Sequence, residues 1–180
     1  MKDKLLVLDL DETLVYGTEE CLDREPDFRV DRHNLYIRPY VSGFLDVCFA
    51  YFRVGVWTSS TYEYAQEVVS HVFNRRNLDF VWDRSRCTLR YDHEAHEYYW
   101  VKDLAKLKRR GYPLEHIAVI DDCIKTAERN HGNLIRVSEW HGNVGDRELF
   151  WLSRYLPGLV NAANIRFINK KKWKRKAMSD

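Results

Sequence analysis

Short apolar runs alternate with longer stretches of helical spacing along the chain. Leu5-Leu6-Val7-Leu8 stands immediately before polar residues, the pattern of a buried strand. Leu35-Tyr36-Ile37 is a second strand candidate. Pro39 stands where the first turn of a helix accepts proline, and Val41, Phe44, Leu45, Cys48 and Phe52 follow at helical spacing. Arg53 to Trp57 reads as the next strand. Ser60 and Glu63 have the spacing of a capping box, which predicts a helix with Ala65, Val68, Val69, Val72 and Phe73 on its buried side. Leu78 to Trp82 predicts another strand. Residues 83–100 alternate weakly (Leu89, Tyr91; Tyr98, Trp100) and predict a small hairpin. A short helix from Asp103 to Arg110 should end at Gly111. Ile117 to Ile120 and Leu134-Ile135-Val137 predict the remaining strands, and Asp146 to Tyr155 a last helix. Strands alternating with helices define the α/β class, a central, mostly parallel sheet flanked by helices. Ligands of such sheets bind beyond the carboxyl ends of the strands.

Composition narrows this reading. The chain has 180 residues, 45% apolar and 31% charged, enough for one domain with a real core and incompatible with overall disorder. No apolar run approaches the ~18 residues of a membrane span. Motifs start within the first dozen residues, so no signal peptide is expected. Cys21, Cys48, Cys87 and Cys123 form no C-x-x-C pair, which argues against a disulfide framework and for a reducing cytoplasm. The net charge of +2 is unevenly spread: residues 170–180 carry +5 and residues 1–169 carry −3. A domain over 1–169 is therefore expected, followed by a basic C-terminal tail over 170–180, read as a solvated end in preference to an electrostatic anchor or a weak polyanion contact. The body lacks the basic surface of a nucleic-acid-wrapping protein.

Two strand ends carry paired acids: Asp9-Leu10-Asp11-Glu12-Thr13 after the first, and Asp121-Asp122 after Ile120. Carboxylates beside buried strands are costly unless cations neutralise them. Two such clusters at one sheet edge repel, and Mg²⁺, a hard cation taking oxygen ligands, resolves the repulsion. Taken singly, either cluster is equally a helix cap or loop acid. Trp57-Thr58-Ser59-Ser60 places hydroxyls before a helix N-terminus, suited to an anion or to ordinary capping. Lys102, at the start of a predicted helix, opposes the macrodipole, so a phosphate partner or plain solvation would account for it.

In this order the motifs resemble those of the haloacid dehalogenase superfamily. Asp9 to Val15 fits its D-x-D-x-T phosphatase motif, and Thr58, Lys102 and Asp121-Asp122 fit its second, third and fourth motifs. Ile37-Arg38-Pro39, Trp57 to Ser60 and Val101-Lys102-Asp103-Leu104 resemble one branch in particular, the RNA polymerase C-terminal-domain and NLI-interacting-factor-like phosphatases, over roughly residues 4–157. The resemblance implies a Rossmann-like fold of that superfamily and two-step phosphoryl transfer. In that scheme Asp9 is the nucleophile and Asp11 the general acid and base, while Thr58 and Lys102 hold the phosphoryl oxygens. Mg²⁺ is held by Asp9, the main-chain carbonyl of Asp11, and Asp122, with Asp121 supporting. Three positions depart from the branch: Tyr40 where glycine is frequent, Asp122 where asparagine is, and Cys123-Ile124 for Ser-Pro.

The spacing between motifs leaves no room for a domain-sized cap, only a flap near 16–34 and an insertion near 83–100. An open site suits a phosphorylated protein carrying phosphoserine or phosphothreonine. Arg84, which matches an arginine of the branch's insertion, is a candidate substrate contact, and a hairpin packed on the body is the alternative. The same chemistry on a small-molecule or nucleic-acid terminal phosphate is the second reading, and a catalytically silent interaction module the third. A zinc site at Cys87, His93 and His96 lacks a second ligand pair. Cys123 faces carboxylates and is a poor nucleophile, and Trp140 and His141 are read as packing residues.

Overall fold

The computed structural model describes residues 2–179. Ten strands and five α-helices follow in chain order: β1 (Leu5–Leu8), β2 (Val15–Thr18), β3 (Phe28–Val30), β4 (His33–Ile37), α1 (Val41–Tyr51), β5 (Arg53–Trp57), α2 (Tyr62–Phe73), β6 (Val81–Trp82), β7 (Thr88–Asp92), β8 (Glu97–Val101), α3 (Ala105–Lys108), β9 (Ile117–Asp121), β10 (Leu134–Arg136), α4 (Glu148–Tyr155) and α5 (Trp173–Ser179). Five of the strands form one sheet in the order β10-β9-β1-β5-β6, every neighbouring pair parallel. Leu8 sits opposite both Val56 and Ile120. Asp9, Trp57 and Asp121 therefore leave the sheet at one level, beside the central strand where the direction of connection reverses.

Alternation along the strands builds two cores. Leu6, Leu8, Val54 and Ile120 pack against α1, α2, α4 and α5, whereas Leu5, Val7, Trp57 and Val119 pack against Leu104 and Leu107 beside α3. The 16–34 flap is an antiparallel sheet, β2-β4-β3, which also absorbs the Leu35–Ile37 strand. The 83–100 insertion is the β7–β8 hairpin, tied to the body by Tyr99 Oη donating to Glu128 at 2.7 Å and by the Lys125–Glu97 ion pair.

Four local expectations are corrected. Helix α1 starts at Val41, after Pro39 and after Tyr40, which takes the left-handed conformation (φ 67°). That backbone explains why glycine is frequent at this position in the branch. Ser60 caps no helix: α2 has Thr61 at its N-cap without a side-chain capping bond. The Asp103–Arg110 helix shortens to one turn before Gly111, which is left-handed (φ 87°). Finally, the basic end is not a solvated tail. It folds into α5, with Trp173 and Ala177 buried and the Trp173 indole N–H donating to the Arg136 carbonyl at 2.8 Å.

Candidate active site

The loop after β1 carries Asp9 and Asp11 into different surroundings. Asp9 is buried, its backbone N–H donating to the Ile120 carbonyl at 3.0 Å. Its Oδ1 accepts from Lys102 Nζ at 2.5 Å, and the same ammonium donates to Asp121 Oδ2 at 2.7 Å. Asp11 turns the other way. Its Oδ2 accepts from the Ser60 hydroxyl at 2.7 Å, its Oδ1 accepts from the Tyr64 hydroxyl at 2.6 Å, and the Thr58 hydroxyl lies 3.4 Å from Oδ2. Thr13 bridges the two acidic strand ends: its hydroxyl donates to Asp122 Oδ1 at 2.9 Å and lies 3.4 Å from Asp9 Oδ2. The loop is held from below by Arg38, fully buried, which pairs with Asp146 at 2.9 Å and donates to the Thr13 carbonyl at 3.1 Å.

The electrostatics follow from burial. Desolvation raises the Asp9 carboxyl well above the usual range; the Lys102 ammonium opposes this and the charges of Asp121, Asp11 and Asp122 add to it. Asp122 is raised too, by burial and then by the Asp121 charge. Burial alone would lower Lys102, but Asp121 and Asp9 outweigh it and hold the ammonium charged. Glu12, beside the same cavity, is pushed up to about 7 by burial and by the Asp11, Asp122 and Glu139 charges. Three buried carboxylates share one lysine, so ionising all of them calls for a further positive charge, and a divalent cation suits that need.

Among the described residues, one set of three or more potential ligand side chains converges: Asp9, Asp121 and Asp122 place carboxylate oxygens within 4.8 Å of one another. An all-oxygen, anionic donor set of this kind fits Mg²⁺. The Asp11 carboxylate is outside it, turned toward Ser60 and Tyr64. Among the described residues Cys87, His93 and His96 do not converge in this way, and Cys87 lies buried with its thiol 3.6 Å from the Thr58 carbonyl.

A cavity of about 260 Å³ opens over the site, lined by Asp9, Asp11, Glu12, Ser59, Tyr99, Trp100, Lys102, Asp121, Asp122, Cys123, Lys125 and Thr126. Thr58 is fully buried behind it, its hydroxyl also accepting from the Ser60 N–H at 3.0 Å. Arg84 sits at the rim, donating to the Ser59 carbonyl at 2.7 Å with its guanidinium beside the Trp100 ring. The structure thus gathers Asp9, Asp11, Thr58, Lys102, Asp121 and Asp122 at one end of the sheet and places Arg84 at its edge. Sequence reasoning missed Ser60 and Tyr64 as partners of Asp11, and Glu12 and Lys125 in the lining. Ser60 has the spacing of a capping residue with Glu63, and nothing local distinguishes Tyr64 from any tyrosine near a helix start.

A family model described as NLI interacting factor-like phosphatase matches residues 4–166. The chain belongs to this family. The Probable C-terminal domain small phosphatase of Dictyostelium discoideum is 30% identical over 173 residues, covering 92% of this chain and 53% of that protein. CTD nuclear envelope phosphatase 1 of Xenopus tropicalis is 28% identical over 184 residues, covering 93% and 72%. The chain thus spans about half the length of the Dictyostelium relative. A structure of Fcp1, an essential RNA polymerase II CTD phosphatase, shares the fold at a TM-score of 0.58 with 17% identity, covering 99% of this chain and 62% of that one.

The expectation of a cytoplasmic protein is corrected by these family relatives, several of which are named for the nuclear envelope. Cysteines without a C-x-x-C pair suit any reducing compartment, the nucleus included, so they did not single out the cytoplasm. Among the described residues no helix is long and apolar enough to cross a membrane.

Proposed function

We propose that the protein is a Mg²⁺-dependent phosphatase that hydrolyses phosphoserine or phosphothreonine in proteins through an aspartyl-phosphate on Asp9. The observation that carries this reading is the division of two carboxylates, two residues apart, into separate environments: Asp9 against Lys102, Asp11 against the hydroxyls of Ser60 and Tyr64. Lys102 occupies Oδ1 of Asp9, which leaves Oδ2, with only the long Thr13 contact, to attack phosphorus. The bond from phosphorus to the ester oxygen breaks as Asp11 delivers a proton to that oxygen. In the second step Asp11 takes a proton from water, the water oxygen bonds to phosphorus, and the bond to Asp9 breaks to release phosphate. Lys102, with the Thr58 hydroxyl, holds the phosphoryl oxygens as charge develops. Asp9, Asp122 and the Asp11 carbonyl would hold Mg²⁺, with Asp121 fixing Lys102, and the bound ion supplies charge neutralisation between an anionic nucleophile and an anionic substrate.

A protein substrate is favoured because the segments between the motifs are a three-stranded flap and a two-stranded hairpin, neither of them a domain-sized cap. The test is hydrolysis of p-nitrophenyl phosphate and of phosphopeptides, with Mg²⁺ and with chelator, by wild type and Asp9→Asn. Activity should require Mg²⁺ and fall by about 10³-fold or more in Asp9→Asn. Turnover surviving in Asp9→Asn would remove the assigned nucleophile. Turnover of the small ester with none of any phosphopeptide would favour the small-molecule reading.

A further inference from the structure

Beyond the site, cations without carboxylate partners gather at the edge strand β6. A cavity of about 320 Å³ is lined by Trp82, Ser85, Arg86, Lys106, Arg109 and Arg110, with no acidic side chain in its wall. Arg86 and Arg110 lie over the Trp82 ring, their guanidinium carbons 5.6 and 5.2 Å from its centroid. Lys106 is fixed in the wall by donating to the Arg86 and Cys87 carbonyls at 2.6 and 3.2 Å. Elsewhere on the surface Arg53, Arg76 and Arg129 each meet a carboxylate, while among the described residues Arg154 and Arg166 meet none but stand singly rather than sharing one cavity. Among the described residues Arg86, Arg109 and Arg110 meet none. The nearby acid, Asp83, is turned onto the Ser85 backbone N–H at 2.7 Å.

The place of this cluster gives it meaning. Trp82 ends β6, which is separated from β1 by β5 alone, and all three strands point their carboxyl ends the same way. Two interstrand spacings set the cavity roughly 10 Å or more from Asp9. The 3-10 turn Arg84–Arg86 joins the two: Arg84 touches the active-site rim through Ser59 and Trp100, and Arg86 reaches the basic cavity. Guanidinium forks match phosphate oxygens geometrically, and the Trp82 ring, in contact with both, limits their freedom before a ligand arrives.

We infer that Arg86, Arg109 and Arg110, with Lys106, form a second anion subsite that binds a phosphate of the same phosphoprotein, about three to five residues along the chain from the phosphate being hydrolysed. The subsite rests on the phosphoprotein reading above and selects multiply phosphorylated segments within it. Extended peptide rises about 3.3 Å per residue, so about three residues is the shortest spacing at which one peptide reaches both places.

The experiment compares peptides carrying one phosphoserine with peptides carrying a second at two, four or eight residues on either side. For wild type, kcat/KM should be highest at a spacing of four, about tenfold above the singly phosphorylated peptide, as expected of a charge-assisted contact. In the double variant Arg86→Gln/Arg110→Gln that advantage should disappear, while p-nitrophenyl phosphate turnover stays at the wild-type rate and shows that the site is intact. Equal rates for singly and doubly phosphorylated peptides, or an advantage that survives in the double variant, would overturn the subsite and leave the phosphatase reading standing. Wild type inactive on every ester would remove the phosphatase reading. Fluorescence anisotropy of labelled peptides on Asp9→Asn then decides the subsite separately, with tighter binding of the doubly phosphorylated peptide required and its loss in Arg86→Gln/Arg110→Gln expected. Displacement of that peptide by an equal concentration of single-stranded RNA would assign the cavity to nucleic acid instead.

Discussion

Asp11 is positioned from outside its own loop. Ser60 and Tyr64 bring hydroxyls across from the turn and helix that follow β5, 49 and 53 residues along the chain. Tyr64 is buried enough that its phenol stays protonated far above its ordinary range, through desolvation first and the Asp11 charge second, so it acts as a fixed donor. Removing one donor frees the carboxylate to rotate away from the leaving oxygen without touching the phosphoryl group. Tyr64→Phe should therefore lower kcat by about tenfold with KM almost unchanged. The loss should be larger for an alkyl phosphate, whose leaving oxygen needs a proton, than for p-nitrophenyl phosphate, which leaves readily without one. Steady-state kinetics on the two esters checks this, and an equal loss on both would refute a role in placing the acid.

Among the elements, β5 shows how tightly the sheet is fitted behind the site. A Cβ on Gly55 would lie 2.4 Å from the Phe80 ring, itself buried between Trp82 and Tyr112. Gly55→Ala should cost about 1–3 kcal/mol in chemical denaturation, because the ring has no free side to move into. The main elements were legible because each obeys a local rule: Leu5–Leu8 and Ile117–Ile120 are unbroken apolar runs, α2 keeps its apolar residues at helical spacing, and Leu89, Tyr91, Tyr98 and Trp100 alternate as the hairpin requires. The acids and Thr58 were legible as candidates because each stands at a predicted strand end, and Lys102 because it opens a predicted helix against the macrodipole. What failed were choices between a local and a distant partner. Ser60 has capping-box spacing with Glu63, yet its hydroxyl is taken by Asp11, a partner the register of β1 with β5 supplies and the local sequence does not. The lysines after Asn169 hide Trp173 and Ala177, a helical i,i+4 pair, behind their charge.

At the scale of the molecule, that C-terminal helix closes the core on the side away from α3. Trp173 packs its ring beside Tyr155, and Lys174 pairs with the buried Glu148, which in turn accepts from the Ser138 backbone. Trp173→Ala should cost about 3–5 kcal/mol and lower Tm by about 10 °C, readable by calorimetry. Lys170 leads into the helix with its ammonium almost enclosed, donating to the carbonyls of Ile165 and Ile168 at 2.5 and 2.9 Å, and no carboxylate of the described residues pairs with it. Burial lowers it to about 8, from 10.5 in an exposed chain. Between those values the unfolded chain holds a proton that the folded protein does not. Its contribution to stability therefore rises with pH from about 8 to about 10.5, and below that window the charged form is a constant cost. Lys170→Met keeps the stem in place and removes the proton, so it should be more stable than wild type near pH 7, with the difference shrinking toward pH 10. Other titrating groups, such as the raised Tyr112, are common to both proteins and cancel in that difference. Urea denaturation of the pair at pH 7 and pH 10 measures it. A difference independent of pH would mean that the Lys170 amine is as well served by its two carbonyls when charged as it is by water.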